Sequence, residues 1–241
     1  MKSGFNILLI IFLVCILGDV WAQQPAPAEI SAPADTTSRQ RETDTLKQKF
    51  YPRAIRFGTD ILALVKSAVV SGYGAYELNA DVDFGKYYLA VDRGRVQRDY
   101  TISNGGDYHM NGTYWRVGWD ANLLKQDPDR NMIFLGIRYG WASFQETMSI
   151  AVKDQVFGDH TKDLVNPNVR AAWAELTGGL RIRMWNQIWM GYTARFKFAP
   201  SVKGSDAFDT YEIPGYGLRA ESLYWGFNYQ VFYKIPFKRQ K

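Results

Sequence analysis

The stretch YWGFNYQVFYKIPF, Tyr224 to Phe237, puts Trp225, Phe227, Tyr229, Val231, Tyr233, Ile235 and Phe237 at every second position. Gly226, Asn228, Gln230, Phe232, Lys234 and Pro236 lie between them. Only an extended strand repeats with a period of two, so one face of this segment is apolar and aromatic and the other mostly small or polar. Which face meets water depends on the rest of the chain.

Seven more segments carry the same pattern. Arg53 to Ala63 sets Ile55, Phe57, Thr59 and Ile61 against Arg56, Gly58 and Asp60. Tyr76 to Phe84 sets Tyr76, Leu78, Ala80 and Val82 against Glu77, Asn79, Asp81 and Asp83. Tyr87, Leu89 and Val91 continue it. Tyr114 to Leu123 opposes Trp115, Val117 and Trp119 to Arg116, Gly118 and Asp120. Asn131 to Ala142 opposes Ile133, Leu135, Ile137, Tyr139 and Trp141 to Arg138 and two glycines. Ala172 to Met184 opposes Leu176, Leu180 and Ile182 to Glu175, Thr177, Arg181 and Arg183. Gln187 to Phe198 opposes Ile188, Met190, Tyr192 and Phe196 to Trp189, Thr193, Arg195 and Lys197. Most are roughly the length that crosses a bilayer at a tilt.

The connections alternate in length. Gly85-Lys86, LKQDPDR and Trp185-Asn186 are short and have turn chemistry. Leu64–Ala75, Asp92–Thr113, Ser143–Ala171 and Ala199–Ser222 are long. A closed antiparallel eight-stranded transmembrane β-barrel has this form, with short turns and both termini at one end and long loops at the other. A soluble barrel of the lipocalin type would turn the apolar face inward, but that many Trp, Tyr and Phe side chains would overfill an eight-stranded interior. The apolar face is therefore expected to meet lipid. The lumen is expected to hold a charge network of Arg56, Asp60, Glu77, Asp81, Asp83, Arg116, Asp120, Arg138, Glu175, Arg181, Arg183, Arg195 and Lys197. On this reading Leu135→Arg or Val231→Arg blocks insertion, and Asn79→Arg is milder.

Before the barrel, Met1 to Ala22 reads as a secretory signal peptide: Lys2, an apolar run from Phe5 to Leu17 and small residues at Val20-Trp21-Ala22. The single cysteine, Cys15, falls inside it, so disulfide and cysteine chemistry are not expected in the mature chain. Gln23 to Phe50 is rich in Pro, Ala, Thr and charge and reads as a disordered periplasmic leader. Residues 51–241 then form the barrel domain. The formal net charge of +5 is scattered rather than striped, which argues against nucleic acid as a partner.

The last strand resembles the terminal recognition signal of outer-membrane barrels, carried here by Tyr229, Val231, Tyr233, Ile235 and Phe237. Many such signals end on the aromatic, whereas here Lys238 to Lys241 follow it. The domain as a whole resembles small eight-stranded outer-membrane barrels of Gram-negative envelopes. Its opening, PRAIRFGTDI, is similar to an uncharacterised family of them. The resemblance implies a cell outer-membrane location, with the bilayer, its lipopolysaccharide and the outer-membrane assembly machinery as partners.

Chemistry-bearing residues are few. His109 lies near Ser103 and Asp107, and His160 near Asp159 and Asp163, all expected in outer loops. Neither set makes an evident catalytic or metal constellation. No cofactor is expected. Three function classes remain. The favoured one is a structural or interaction barrel, an accessory subunit of a larger envelope complex such as the barrel-assembly machinery. The others are a narrow channel for small solutes and a lipid-modifying enzyme.

Overall fold

The computed structural model describes residues 51–101, 106–124, 131–152 and 160–237. Strand β1 (Ala54–Asp60) runs into helix α1 (Ile61–Val69), followed by β2 (Tyr73–Asp83), β3 (Tyr87–Thr101), β4 (Asp107–Asn122), β5 (Met132–Val152), β6 (His160–Trp185) and β7 (Ile188–Lys203). A small hairpin of β8 (Glu212–Ile213) and β9 (Gly217–Leu218) precedes the last strand, β10 (Leu223–Pro236). β1 pairs with both β2 and β10, and the ring β1-β10-β7-β6-β5-β4-β3-β2 closes with antiparallel pairing throughout. The signal peptide, the leader, most of LKQDPDR and the KRQK tail lie outside the described residues.

Side-chain direction follows the alternation read from the sequence. Ile137 is 67% exposed and Trp225 60%, while Arg56 and Asp120 are fully buried. The apolar face is thus outside and the charged face inside. This is the inverse of a soluble barrel, and the arrangement of one that spans a bilayer. Two short turns obey local chemistry. Gly85 has φ +95°, and its N–H is accepted by the Asp83 carboxylate at 2.7 Å. Asn186 takes the left-handed region at φ 44°, which Asn tolerates.

Inward glycines make room for inward rings. Gly58 lies directly opposite Phe232, Gly94 opposite Tyr114, Gly112 opposite Phe144 and Gly140 opposite Trp173. A Cβ at Gly58, Gly94 or Gly140 would lie 2.2–2.4 Å from the partner's ring, and one at Gly112 would lie 2.2 Å from the Cβ of Phe144. The ring covers the exposed glycine backbone, a pairing that pins register as well as filling space.

Two expectations are corrected. First, β1 ends at Asp60, so Ile61 and Ala63 are helical. The Asp60 side chain accepts from Leu62 N–H at 3.0 Å and caps α1. The same carboxylate accepts Tyr229 N–H at 3.1 Å and the Asn228 amide at 2.6 Å. It therefore satisfies the β10 edge where β1 leaves it. On the other side, the Ser67 hydroxyl of α1 accepts Ala75 N–H at 2.6 Å and lies 2.9 Å from Ala75 O, standing in for a strand partner of β2. Asp60→Ala should cost about 1–3 kcal/mol, read as a lower urea midpoint of refolding; an unchanged midpoint would remove this capping role.

Second, most of the expected long loops are strand. β3 continues to Thr101, β4 starts at Asp107, and β5 and β6 are 21 and 26 residues long. These exceed the roughly 9–11 residues a tilted crossing needs. The wall projects past the membrane, and its chemistry reverses there. Outward residues become Arg93, Arg95, Gln97 and Asp99 on β3, Thr113, Asn111 and His109 on β4, and Ser143 and Gln145 on β5. Inward residues become Val96, Tyr108, Met110, Tyr114, Ala142, Phe144, Val169 and Trp173, which form an apolar core. A β-bulge at Pro167-Asn168 of β6 keeps Val169 and Asn166 both buried, three residues apart.

Candidate functional site

The lumen is filled in three layers. At the short-turn end, Tyr88, Met132, Phe134, Trp189 and Phe232 are buried. Cations of the next layer rest on their rings. The Arg56 guanidinium lies 4.7 Å from the Tyr88 centroid, and that of Arg181 4.7 Å from Phe232 and 5.0 Å from Phe134. Lys234 reaches Asp83 at 3.2 Å.

The middle layer is one continuous ion-pair network. Asp81 accepts Arg56 at 2.7 Å and Arg181 at 2.5 Å. Asp120 joins Arg138 at 2.9 Å and Arg181 at 3.5 Å. Asp92 pairs with Arg138, with Arg195 at 3.1 Å and with Arg116 at 3.5 Å, and accepts the Asn79 amide at 2.7 Å. Glu77 pairs with Arg116 and accepts the Tyr114 hydroxyl at 2.5 Å. Glu175 accepts Arg195 at 3.1 Å and the Trp173 indole at 2.7 Å. Each guanidinium reaches across to strands other than its own, so the network ties β1 through β7 together around the axis. Isolated buried charges would be prohibitive; paired and hydrogen-bonded ones are tolerated and define a unique arrangement.

The third layer is a cap. The β8–β9 hairpin puts Ile213 and Tyr216 fully into the upper core, with Tyr216 edge-on to Trp173 at 5.9 Å. Arg98 clamps Glu212 at 3.0 Å, and the Lys197 ammonium donates to Tyr216 C=O at 2.9 Å. Beside the hairpin, the buried Glu146 carboxylate accepts from Tyr108 (2.8 Å), Asn166 (2.9 Å) and Thr210 (2.8 Å), all neutral donors. Burial, and then the Glu146 charge, push the Tyr108 hydroxyl well above its ordinary pKa, so it remains a donor there. A pocket of about 220 Å³ remains between α1, the cap and the network, lined by Asp60, Tyr73, Glu77, Arg98, Lys197 and Tyr224 among others.

Of the charges expected in the lumen, Arg56, Asp60, Glu77, Asp81, Asp83, Arg116, Asp120, Arg138, Glu175, Arg181, Arg195 and Lys197 are all buried there. Arg183 is not: it sits at the short-turn rim, exposed, and donates to Asn186 C=O at 2.9 Å. Asp92, the carboxylate that pairs with the most guanidiniums, lies outside the expected set because it falls within the expected loop Asp92–Thr113. The continued alternation of Tyr88, Ala90 and Asp92 was the signal for it. On β10, Tyr229, Tyr233 and Ile235 are exposed and Val231 partly so, all on the outer face, and Phe237 just after the strand is exposed too.

The histidines are in strands, not loops. His109 on β4 faces outward opposite Asp99 and Thr147, and its Nδ1 pairs with the Asp99 carboxylate. Asp107 accepts the Thr101 hydroxyl at 2.8 Å. His160 opens β6 opposite Val152. Ser103 and Asp159 lie outside the described residues, and among the described residues no three His, Asp or Glu side chains converge as a metal site.

The register, the outward apolar face and the charged lumen define a small eight-stranded transmembrane barrel. Residues 2–240 match the family described as Domain of unknown function (DUF6048), and the chain belongs to that family. No curated protein matches it. Among solved structures it is similar to CarO of Acinetobacter baumannii, at 10% identity and a TM-score of 0.37, over 78% of this chain and 98% of that one. It is also similar to Neisserial surface protein A, at 9% identity and a TM-score of 0.31, over 76% of this chain and 95% of that one. The fold itself is defined by the strand register and the closed ring.

Proposed function

We propose that this chain is an integral outer-membrane barrel with a structural or interaction role, an accessory subunit of a larger envelope complex such as the barrel-assembly machinery. The observation that carries the reading is the lumen. An aromatic floor, an ion-pair network and an apolar cap occupy the axis in turn, which leaves little room for a solute path. The surface available for work is then the outside of the barrel, including a polar wall that continues well past the membrane. The narrow-channel reading needs the cap and the network to move together, against the ties described above.

The experiment is affinity purification of the full chain from native outer membranes in mild detergent, with planar-bilayer recording of the same preparation. The expected result is recovery with stoichiometric envelope proteins and no steady conductance. A barrel that travels alone and conducts ions, with conductance changed by Arg138→Ala, would replace this reading with the channel.

A further inference from the structure

The outer wall changes character abruptly. On β4 and β5 the last outward aromatic residues are Trp115 and Trp141, which lie opposite each other. The next outward positions are Thr113 and Ser143, again opposite each other. On β3 the last outward apolar residue is Val91, followed by Arg93 and Arg95; on β6 outward Ala172 is followed by Arg170. Arg93 thus lies at the last ring, opposite Trp115, and Arg95 and Arg170 one strand step beyond it. An aromatic girdle marks the edge of the hydrocarbon, so this step lies at the level of lipid head groups.

Three of the cations share one cross-strand row. Arg95 lies opposite Thr113, Thr113 opposite Ser143, Ser143 opposite Arg170, and Arg170 opposite Lys203. The Arg93 guanidinium lies over the Trp115 ring, 5.0 Å from its centroid, which holds it against the girdle. Arg95 donates through Nε to Asn111 at 3.2 Å, and its two terminal nitrogens stay available. Among the described residues, Arg93, Arg95, Arg170 and Lys203 have no carboxylate within 4.0 Å, whereas Arg56, Arg116, Arg138, Arg181 and Arg195 in the lumen each have at least one. Above the row lies a groove of about 480 Å³, lined by Arg95, Asn111, Thr113, Ser143, Asn168 and Arg170.

From this placement we infer that the wall of β3–β6 binds the phosphorylated head group of an outer-leaflet glycolipid. Guanidinium forks match phosphate oxygens in a bidentate way. Arg95 and Arg170 are three strand spacings apart, about 14 Å, which suits two phosphates on one head group rather than a single free ion. Asn111, Asn168, Thr113 and Ser143 offer donors and acceptors between them for sugar hydroxyls. Acyl chains would run down the adjoining apolar wall over Trp141, Tyr139 and Ile137. An acidic protein would meet the charge equally well, but not the girdle immediately beneath it.

The inference rests on the outer-membrane reading, and the test separates the two. The full chain is purified folded, its heat-modifiable gel mobility is recorded, and binding is measured by native mass spectrometry in mild detergent. The probes are a diphosphorylated lipid A, the same lipid after enzymatic dephosphorylation, and inorganic phosphate. Wild type should retain the diphosphorylated lipid, with affinity falling at least about tenfold on dephosphorylation. Arg95→Gln/Arg170→Gln should lose a similar factor, with mobility unchanged; Arg219→Gln, a charge loss near Asp209 on the loop after β9, should not. Equal binding of the two lipids by wild type overturns the inference even if the double variant misfolds. So does full displacement by millimolar inorganic phosphate, or cation-dependent capture of an acidic protein in place of lipid. A chain that never shows barrel mobility instead overturns the outer-membrane reading.

Discussion

Asp92→Ala should cost about 3–5 kcal/mol of barrel stability, the larger of the two strongest effects expected here. Asp92 is 2% exposed and is shared by Arg138, Arg195 and Arg116 from three strands. Without it the three guanidiniums lose the carboxylate they share, each keeping another partner (Asp120, Glu175 and Glu77), and the buried network carries excess positive charge. The Asn79 amide also loses an acceptor. The measurement is the urea midpoint of refolding into vesicles, followed by heat-modifiable mobility. Adding Arg138→Met should recover part of the loss, because it removes one positive charge from a network left with an excess of them while keeping volume. If Asp92→Ala refolds like wild type, the network is not what holds the lumen together.

Leu135→Arg should block stable insertion. Leu135 faces outward on β5, between Ile133 and Ile137, and a cation near the bilayer midplane of a barrel's lipid face costs about 2–4 kcal/mol. Val231→Arg on β10 should act the same way. Asn79→Arg does not serve as the mild comparison that the alternation suggested. Asn79 is 4% exposed and donates to both Glu77 and Asp92, at 2.8 and 2.7 Å. An arginine there adds both volume and a cation to a closed network. Gln97→Arg, outward on the wall beyond the girdle, is the fair control and should insert normally. Equal insertion of Leu135→Arg and Gln97→Arg would remove the membrane from that face.

The candidate site was half legible for a physical reason. Alternation tells which residues share a face, and so it found the lumen charges on β2, β4 and β6. It is silent on which charges touch, because Arg181 and Asp81, or Arg195 and Asp92, are about a hundred residues apart and meet only across the closed lumen. Asp92 escapes a criterion that rests on apolar residues of one parity alone. Past Val91 the outward face turns polar, and a strand that has left the membrane looks like a loop to that criterion. Arg183 was included because it keeps the parity of Arg181, but parity cannot say where the barrel ends.

From sequence alone came the strand period, the apolar outer face, the alternation of short and long connections, and with them an eight-stranded closed barrel. These are local properties, each readable within about ten residues. Only the tertiary structure decided that β1 stops at Asp60 and gives way to α1, that β3–β6 continue beyond the bilayer with their core chemistry inverted, that the β8–β9 hairpin caps the lumen, and that Arg95, Arg170 and Lys203 fall on one cross-strand row just beyond the girdle. Each of these depends on cross-strand register, and register is set by long-range closure and by Gly–aromatic pairs on different strands, which no single segment contains.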